Sequence, residues 1–264
     1  MKLTVIGLGN MATAMISGII KAGVFAPHDI TGSDASSSQI QKAESDLKIN
    51  TTDSNEEAVK GSDYVIIAVK HQIYETVLPQ IASARSKEQV IISIAPGKTL
   101  SYLEEGLGKD AKIVRIMPNT PALVGEGCTG VCRNTNVSDE EFDLVMKILT
   151  SFGKAYEVAE KMMDAVVAVS GSSPAYVFML IEAMADGAVA EGLDRATAIR
   201  MAAQAVLGSA KMVLETGKHP GELKDMVCSP AGTTIEAVAV LENGAFRGTV
   251  IDAMSACAEK SRQI

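Results

Sequence analysis

The sequence is poor in aromatic residues and in the residue clusters that hold metals or disulfides. It has no tryptophan, 4% aromatic residues and three isolated histidines among its 264 residues. Its four cysteines show neither a disulfide framework nor metal-ligand spacing, so we expect reduced thiols and no bound metal. For Cys228 we favour a packing role over that of a reactive thiol.

Positive charge in excess and long apolar runs are also missing. The net charge is -8, which would repel nucleic acid, so no nucleic-acid partner is expected. There is no uninterrupted apolar run of about 18 residues, and no basic segment precedes an apolar stretch at Met1. We therefore expect a cytoplasmic protein that neither spans a membrane nor is secreted.

The first 160 residues alternate between strand-like and helical patterns. The strand-like apolar runs lie at residues 2–6, 30–32, 64–69, 90–94 and 112–117. Such alternation is typical of a doubly wound parallel sheet, which binds its ligand at the carboxyl ends of the strands. We predict an α/β Rossmann-like domain over residues 1–160.

A glycine-rich loop follows the first of these strands. Gly7, Gly9 and Ala12 form the pattern G-x-G-x-x-A between the strand and a helical pattern. Gly7 permits a tight turn, Gly9 lets the backbone approach a pyrophosphate, and Ala12 allows close packing of helix on strand. In this position the pattern predicts dinucleotide binding rather than a glycine loop without a ligand.

From about residue 162 the strand-like runs stop and helical patterns rich in alanine and methionine begin. They cover residues 173–191, 194–215, 220–227, 233–241 and 245–262. Because helices that are apolar on most faces must be buried, we predict an all-α second domain, residues 161–264, that shares its surface with a second copy. A homodimer at least is expected, and the 13 methionines are interpreted as core residues.

The most informative segment is residues 223–242. Pro230 cannot lie inside a helix, Gly232 has unusual backbone freedom, and Thr233 and Thr234 are natural caps for the apolar helix that follows. Free N–H groups at a helix N-terminus can hold a carboxylate without a cationic side chain. The pattern by itself leaves two alternatives, an anion site and an ordinary capped helix.

This segment resembles the signature of the pyrroline-5-carboxylate reductases, the enzymes of the last step of proline biosynthesis. Motifs at residues 68–70, 93–97, 117–121 and 170–176 share the resemblance, so it covers essentially the whole chain. It implies reduction of L-1-pyrroline-5-carboxylate to L-proline by hydride transfer from NADPH or NADH. It also implies an intertwined dimer formed by the helical domain, and suggests rings of dimers.

The resemblance further implies contacts with the cofactor. The pyrophosphate would be held by Ile6, Gly7, Leu8, Gly9, Asn10 and Met11. The nicotinamide side would be lined by Ala68, Val69, Lys70, His71, Ile94, Ala95 and Pro96. The adenosine end would contact Ser33, Asp34, Ser36 and Asn55, and Asn119 completes the cofactor residues.

For the substrate, a cyclic imino acid, the resemblance implies Glu160, Ser229, Gly232, Thr233 and Thr234. The protonated imine is electrophilic enough to accept a hydride, so the protein mainly has to orient it. Thr234 is assigned the catalytic position, with its hydroxyl beside the ring nitrogen. A plain helix cap at Thr234 and an exposed surface charge at Glu160 are the alternatives.

Four positions depart from the usual family pattern, and they put individual contacts in doubt: His71, Pro96, Ser173 and Met226.

Two other functions compete with this interpretation. A hydroxyacid dehydrogenase of similar architecture would need a general acid, commonly a lysine on the first long helix after the nucleotide domain. No lysine lies between Lys161 and Lys211. A dinucleotide-sensing subunit without turnover would have no use for an anion-binding segment near residue 232.

Asp34 bears on the choice between NADH and NADPH. It lies at the end of the second predicted strand, where the adenosine ribose is recognised, and no lysine or arginine lies between Lys21 and Lys42. A carboxylate there repels a 2′-phosphate and can bond a free hydroxyl, although the serines at 36–38 could cradle a phosphate. We predict that NADH is used at least as well as NADPH, the alternative being that Asp34 caps a helix.

Overall fold

The computed structural model describes residues 1–263, and the last residue of the predicted helical domain, Ile264, lies outside the described residues. One sheet has the strand order β3-β2-β1-β4-β5-β6-β7-β8. The strands are β1 (Leu3–Ile6), β2 (Ile30–Ser33), β3 (Asn50–Thr52), β4 (Tyr64–Ile67), β5 (Val90–Ser93), β6 (Lys112–Met117), β7 (Gly127–Arg133) and β8 (Gly153–Glu157).

The predicted Rossmann-like sheet is confirmed, with two differences. Its five predicted strands are present, but β3, β7 and β8 were not predicted from the sequence. The pairing is parallel throughout except between β6 and β7, which run antiparallel, so the sheet is not parallel in every pair. The antiparallel step follows from the short connection through a 3-10 helix at Thr120–Val124, because a parallel crossover needs a dozen or more residues.

Helices cover both faces of the sheet. They are α1 (Asn10–Lys21), α2 (Ser37–Leu47), α3 (Asn55–Val59), α4 (Tyr74–Ala84), α5 (Leu100–Leu107) and α6 (Asp139–Thr150). Because side chains alternate along a strand, β4 contributes residues to the apolar cores on both faces of the sheet. Ile66 belongs to the same buried cluster as Met15 of α1, whereas Val65 and Ile67 belong to the cluster that contains Ile81 of α4. Burial on both faces explains why the central strands read as continuous apolar runs.

The chain divides into two compact units. The first comprises residues 1–172 together with residues 257–263, and the second comprises residues 173–256. The predicted domain boundary near Glu160 is neither confirmed nor contradicted by this division and stays a prediction. Before the division, a 3-10 turn at Glu160–Met162 leads into α7 (Met163–Val166) and a π-helical turn at Val167–Gly171.

The helical character predicted for the second half is confirmed. Its helices are α8 (Ser173–Ala190), α9 (Arg195–Thr216), α10 (Pro220–Val227), α11 (Thr233–Asn243) and α12 (Phe246–Ser261). In the second unit the buried apolar side chains are small, chiefly alanines such as Ala185 and Ala198. Large ones such as Phe178, Met179 and Leu214 are more than half exposed, at 62%, 69% and 76%. A single copy therefore leaves the apolar faces of this unit uncovered.

One helical stretch, Glu160–Ala190, has the length and composition to cross a membrane, and little of it is buried. The same two properties belong to a helix of a soluble protein that packs against another chain, so they do not identify a membrane span.

Candidate active site

The glycine-rich loop leaves room for a ligand at the start of α1. Gly7 has φ +91°, and a Cβ there would lie 2.8 Å from the Ala68 carbonyl oxygen, so the turn requires glycine. Gly9 is the N-cap of α1 and provides no side-chain cap, while a Cβ at Gly9 would meet nothing within 4 Å. The first N–H groups of α1 thus have no side-chain cap, and the space beside Gly9 is open, which fits the pyrophosphate of a dinucleotide.

Asp34 links this loop to the end of β2. One carboxylate oxygen accepts a hydrogen bond from the Leu8 amide, and the other accepts one from the Ser36 amide, both at 2.8 Å. Ser36, not Asp34, is the N-cap of α2. The Leu8 amide, one of the predicted pyrophosphate donors, is thus bonded to a carboxylate.

A cavity of about 290 Å³ opens beside Asp34, and we call it the adenosine cavity. Its lining includes Ile6, Gly7, Ser33, Asp34, Asn55, Val69 and Gln80. The structure thus brings together residues that the sequence predicted for the pyrophosphate, ribose and nicotinamide parts of the cofactor. Gln80 on α4 was not predicted, because a single glutamine on a helix carries no motif.

The loops predicted to line the nicotinamide lie side by side. Residues 68–71 follow β4 and residues 94–96 follow β5, and these two strands are parallel neighbours. The Ile94 amide donates to the Ile67 carbonyl at 3.3 Å, which joins the roots of both loops. Parallel pairing explains the juxtaposition, since adjacent strands place their carboxyl ends at one edge.

Tyr74 forms hydrogen bonds at the ends of both strands that precede these loops. No sequence pattern predicted this role. Its hydroxyl donates to the Ile67 carbonyl at 3.0 Å and lies 3.0 Å from Ser93 Oγ, which also lies 3.5 Å from the Ala95 amide. The ring is fully buried, and burial raises the pKa of Tyr74 to about 12. The phenol therefore stays protonated and remains a donor at neutral pH.

We expect Tyr74→Phe to lower the free energy of unfolding by about 1–3 kcal/mol, because the Ser93 hydroxyl and the Ile67 carbonyl lose a partner in a dry environment. Denaturant unfolding at fixed protein concentration measures the change. The matched control is Tyr102→Phe, whose ring lies under Lys98 and is only partly buried. Equal small effects of both variants would contradict the role given to the Tyr74 hydroxyl.

Asn119 and Glu160 are both engaged within the first unit. The Asn119 side chain donates to the Ser170 carbonyl at 2.9 Å and accepts from the Cys128 amide at 2.8 Å. One oxygen of Glu160 accepts from the Leu100 amide at 2.6 Å and from the guanidinium of buried Arg115 at 3.1 Å. Glu160 is thus half-buried in an ion pair rather than an isolated surface charge.

The predicted substrate loop precedes α11 in the second unit. Gly232 is the N-cap, with φ -83° and ψ 169°, and it provides no side-chain cap. The prediction that Thr233 and Thr234 cap this helix is therefore wrong, because both lie inside its first turn. The Gly232 amide donates to the Ser229 carbonyl at 3.0 Å and closes a tight turn. A Cβ at Gly232 would collide with Ser229 Oγ. Since no side chain caps the helix, its first N–H groups are left for an anion.

Ala231 holds this loop in a left-handed conformation, with φ +55°. For a residue with a Cβ this conformation costs about 1–2 kcal/mol. Strain of this kind persists only where the surrounding structure fixes it, and it is concentrated at functional sites.

All four cysteines are free, and burial raises the pKa of the Cys132 thiol to about 11, so that it stays neutral and unreactive. Within residues 1–263, no group of three or more His, Cys, Asp or Glu side chains is arranged to hold a metal ion.

Comparison with known proteins assigns both parts of the chain. Residues 160–264 match the family described as pyrroline-5-carboxylate reductase dimerisation, and residues 2–97 match that of the coenzyme F420-dependent NADP oxidoreductases. The chain therefore carries a dimerisation domain and an NAD(P)-binding Rossmann domain.

Relatives match over the full length. The pyrroline-5-carboxylate reductase of Escherichia coli is 51% identical over 100% of this chain and 98% of its own. The enzyme from Plasmodium falciparum, whose structure holds NADP, is 36% identical with a TM-score of 0.90 over 99% of this chain and 97% of its own. That of Coxiella burnetii is 34% identical with a TM-score of 0.92 over the same shares. This chain belongs to the pyrroline-5-carboxylate reductase family of NAD(P)H-dependent oxidoreductases.

Proposed function

We propose that this chain reduces L-1-pyrroline-5-carboxylate to L-proline with NAD(P)H, the last step of proline biosynthesis. The observation that carries the proposal is the uncapped start of α11 in a chain that also has an open glycine loop at α1. The first feature suits a small carboxylate and the second a dinucleotide pyrophosphate. A reductase of a carboxylated imine requires both.

The carboxylate of the substrate is held by the N-terminus of α11. The amides of Thr233 and Thr234 have no intrahelical acceptor, and the helix dipole adds positive potential at the same point. Ser229 and Gly232 shape the turn that brings these amides together. No cationic side chain is needed, because amide donors and the dipole together stabilise one negative charge.

The imine ring is oriented by Thr234. Its hydroxyl accepts a hydrogen bond from the iminium N–H and donates one to a neighbour, so it fixes the ring without changing the protonation of the ring. When bound, NAD(P)H supplies the hydride that this reaction consumes. The task of the protein is to align the ring and to exclude competing orientations.

Glu160 remains a proposed substrate contact. Its Oε1 is shared by the Leu100 amide and Arg115, whereas Oε2 makes no hydrogen bond with any residue from 1 to 263. Oε2 is thus the atom through which we propose that Glu160 contacts the substrate. Asn119 remains proposed as a cofactor-binding residue. Both ends of its amide are bonded within the protein, so we propose that it also holds the end of β6 in place.

The experiment that tests the function is an assay of turnover with L-1-pyrroline-5-carboxylate and each reduced cofactor. Rapid oxidation of NADH or NADPH with this imine, and none with 2-oxo or 3-oxo acids, is the expected result. The opposite preference would identify a hydroxyacid dehydrogenase. Cofactor binding without turnover on any of these substrates would point to a sensing subunit.

A second copy is proposed to cover the apolar helices of the second unit, in an intertwined dimer that assembles further into rings. Support comes from the matched dimerisation domain and from exposed side chains such as Phe178, Met179 and Leu214. Covering them with another copy also accounts for the apolar stretch Glu160–Ala190 without a membrane. A cytoplasmic location belongs to the same proposal.

We expect the dilute wild-type chain to sediment as a dimer or a larger assembly, with no folded monomer, because one copy leaves its apolar helices exposed. Met179→Glu, at a side chain 69% exposed, should weaken the assembly strongly. The matched control is Tyr156→Glu on β8, 52% exposed and outside the matched dimerisation region. A stable, active monomer of the wild-type chain would contradict the proposal.

A further inference from the structure

The adenosine cavity has two chemically different ends. Near the glycine loop it is lined by Asp34, whose carboxylate can only accept hydrogen bonds. Towards α4 its walls are the apolar side chains of Val69, Ile73 and Val77, with Gln80 beside them. Among the described residues that line this cavity there is no lysine or arginine. The α4 end therefore suits a flat, neutral group rather than a phosphate.

A chain of hydrogen bonds fixes how Gln80 is presented to this cavity. The Ser33 hydroxyl donates to Asn55 Oδ1 at 2.7 Å, and Asn55 Nδ2 donates to Gln80 Oε1 at 2.6 Å. Since each amide oxygen is already used as an acceptor, the free end of the chain is the NH₂ group of Gln80. Its two N–H donors have no acceptor among residues 1–263. A half-buried amide in this state favours a ligand that offers an acceptor.

We infer that Gln80 recognises the purine base of the dinucleotide. The purine packs against the apolar side chains of Ile73 and Val77, and a ring nitrogen accepts a hydrogen bond from Gln80 Nε2. A purine offers such acceptors at several ring positions, and its flat apolar faces match these walls. Asn55 positions Gln80 by bonding its oxygen, and the same asparagine is a predicted ribose contact. Gln80 thus determines specificity for the nucleotide half of the cofactor and does not touch the reacting atoms.

This inference rests on NAD(P)H binding and not on the identity of the imine. Titration of the full-length wild-type protein with NADH, followed by nicotinamide fluorescence, needs no substrate. Failure of the wild type to bind NADH would count against the cofactor site itself, and with it this inference. Failure of the imine assay alone would leave the titration unaffected.

The test uses Gln80→Met and two reduced cofactors, NADH and nicotinamide mononucleotide, which lacks the adenosine half. We expect the Kd and KM for NADH to rise about threefold to tenfold, the range for one lost hydrogen bond, with kcat unchanged. For reduced nicotinamide mononucleotide, the Kd from the same titration should not change. A loss of structure in α4 would weaken the binding of both cofactors. That outcome would overturn the inference, and so would unchanged NADH binding.

Two further variants complete the design. Gln80→Glu keeps an oxygen for Asn55 but removes both N–H donors, so it should weaken the binding of NADH at least as much as Gln80→Met. It provides a second readout if the methionine variant folds poorly. Gln41→Met makes the same chemical change at an exposed position of α2 and should leave both cofactors unaffected. Full NADH affinity in Gln80→Glu would show that the NH₂ group contacts no base.

Discussion

Thr234→Ala should lower kcat/KM for L-1-pyrroline-5-carboxylate by about one to three orders of magnitude, the range for losing a polar group positioned at a reacting centre. The variant keeps the free amides of α11, so the substrate carboxylate can still bind, but the ring loses the hydroxyl that orients it. The loss should fall mainly on kcat. Initial rates at saturating cofactor measure it, and the Kd for NADH should be nearly unchanged.

The control for this prediction is a threonine in an equivalent place. Thr197 lies in the first turn of α9 in the same unit, where its amide is already capped by the Asp194 carboxylate at 3.0 Å. Thr197→Ala should keep nearly full activity, and Thr234→Ser, which retains a hydroxyl, should recover most of it. Full turnover by Thr234→Ala would mean that the loop before α11 does not orient the imine.

The strands that the sequence predicted are those buried on both faces. Their runs of valine and isoleucine, such as V-I-I-S in β5, are recognisable because both sides contact helices. The missed strands lack this signal. β3 is the polar tripeptide N-T-T, β7 has glycine at Gly127 and Gly130, and β8 is largely exposed. Pairing with neighbours distant in sequence, rather than local preference, makes these segments strands.

The segments of the candidate site were predictable, but the contacts between them were not. Glycine spacing and the alternation of strands locate the cofactor loops. By contrast, the bond from the Leu8 amide to Asp34 joins residues 26 apart, and the pair of Arg115 with Glu160 joins residues 45 apart. The role of Tyr74 could not be predicted either, because it depends on β4 and β5 ending side by side at one edge of the sheet. Such contacts require the register of the sheet, which no local pattern contains.

At the start of α11, a local sequence pattern also failed to predict the exact position of the helix cap. Residues 229–234 contain two threonines after a glycine, and threonine is a preferred cap, so the sequence favoured capping by a side chain. The structure assigns the cap position to Gly232 instead, because the left-handed Ala231 and the bond to the Ser229 carbonyl shift the helix start by one residue. A difference of one residue leaves the amides free and favours the anion site over an ordinary capped helix.

The choice of cofactor provides the second large effect. Asp34 lines the adenosine cavity and its carboxylate occupies the amides of Leu8 and Ser36. A ribose with a free 2′-hydroxyl can donate to this carboxylate, whereas a 2′-phosphate would meet a negative charge with no cation in the cavity lining. The Plasmodium falciparum relative was solved with NADP, and for this chain the preference is predicted from Asp34 itself. We expect NADH to be used at least as well as NADPH.

Asp34→Ser should raise the ratio of kcat/KM for NADPH to that for NADH by about 10- to 100-fold, because it removes a like charge close to the phosphate and frees two amide donors for it. Rates with both cofactors at matched concentrations, in wild type and variant, give the ratio. Asp143→Ser on the exposed side of α6 makes the same change in net charge and should leave the ratio as it is, which separates the local carboxylate from the overall charge of the chain. A strong wild-type preference for NADPH that Asp34→Ser does not alter would mean that this carboxylate only braces the Leu8 and Ser36 amides and does not reach the ribose.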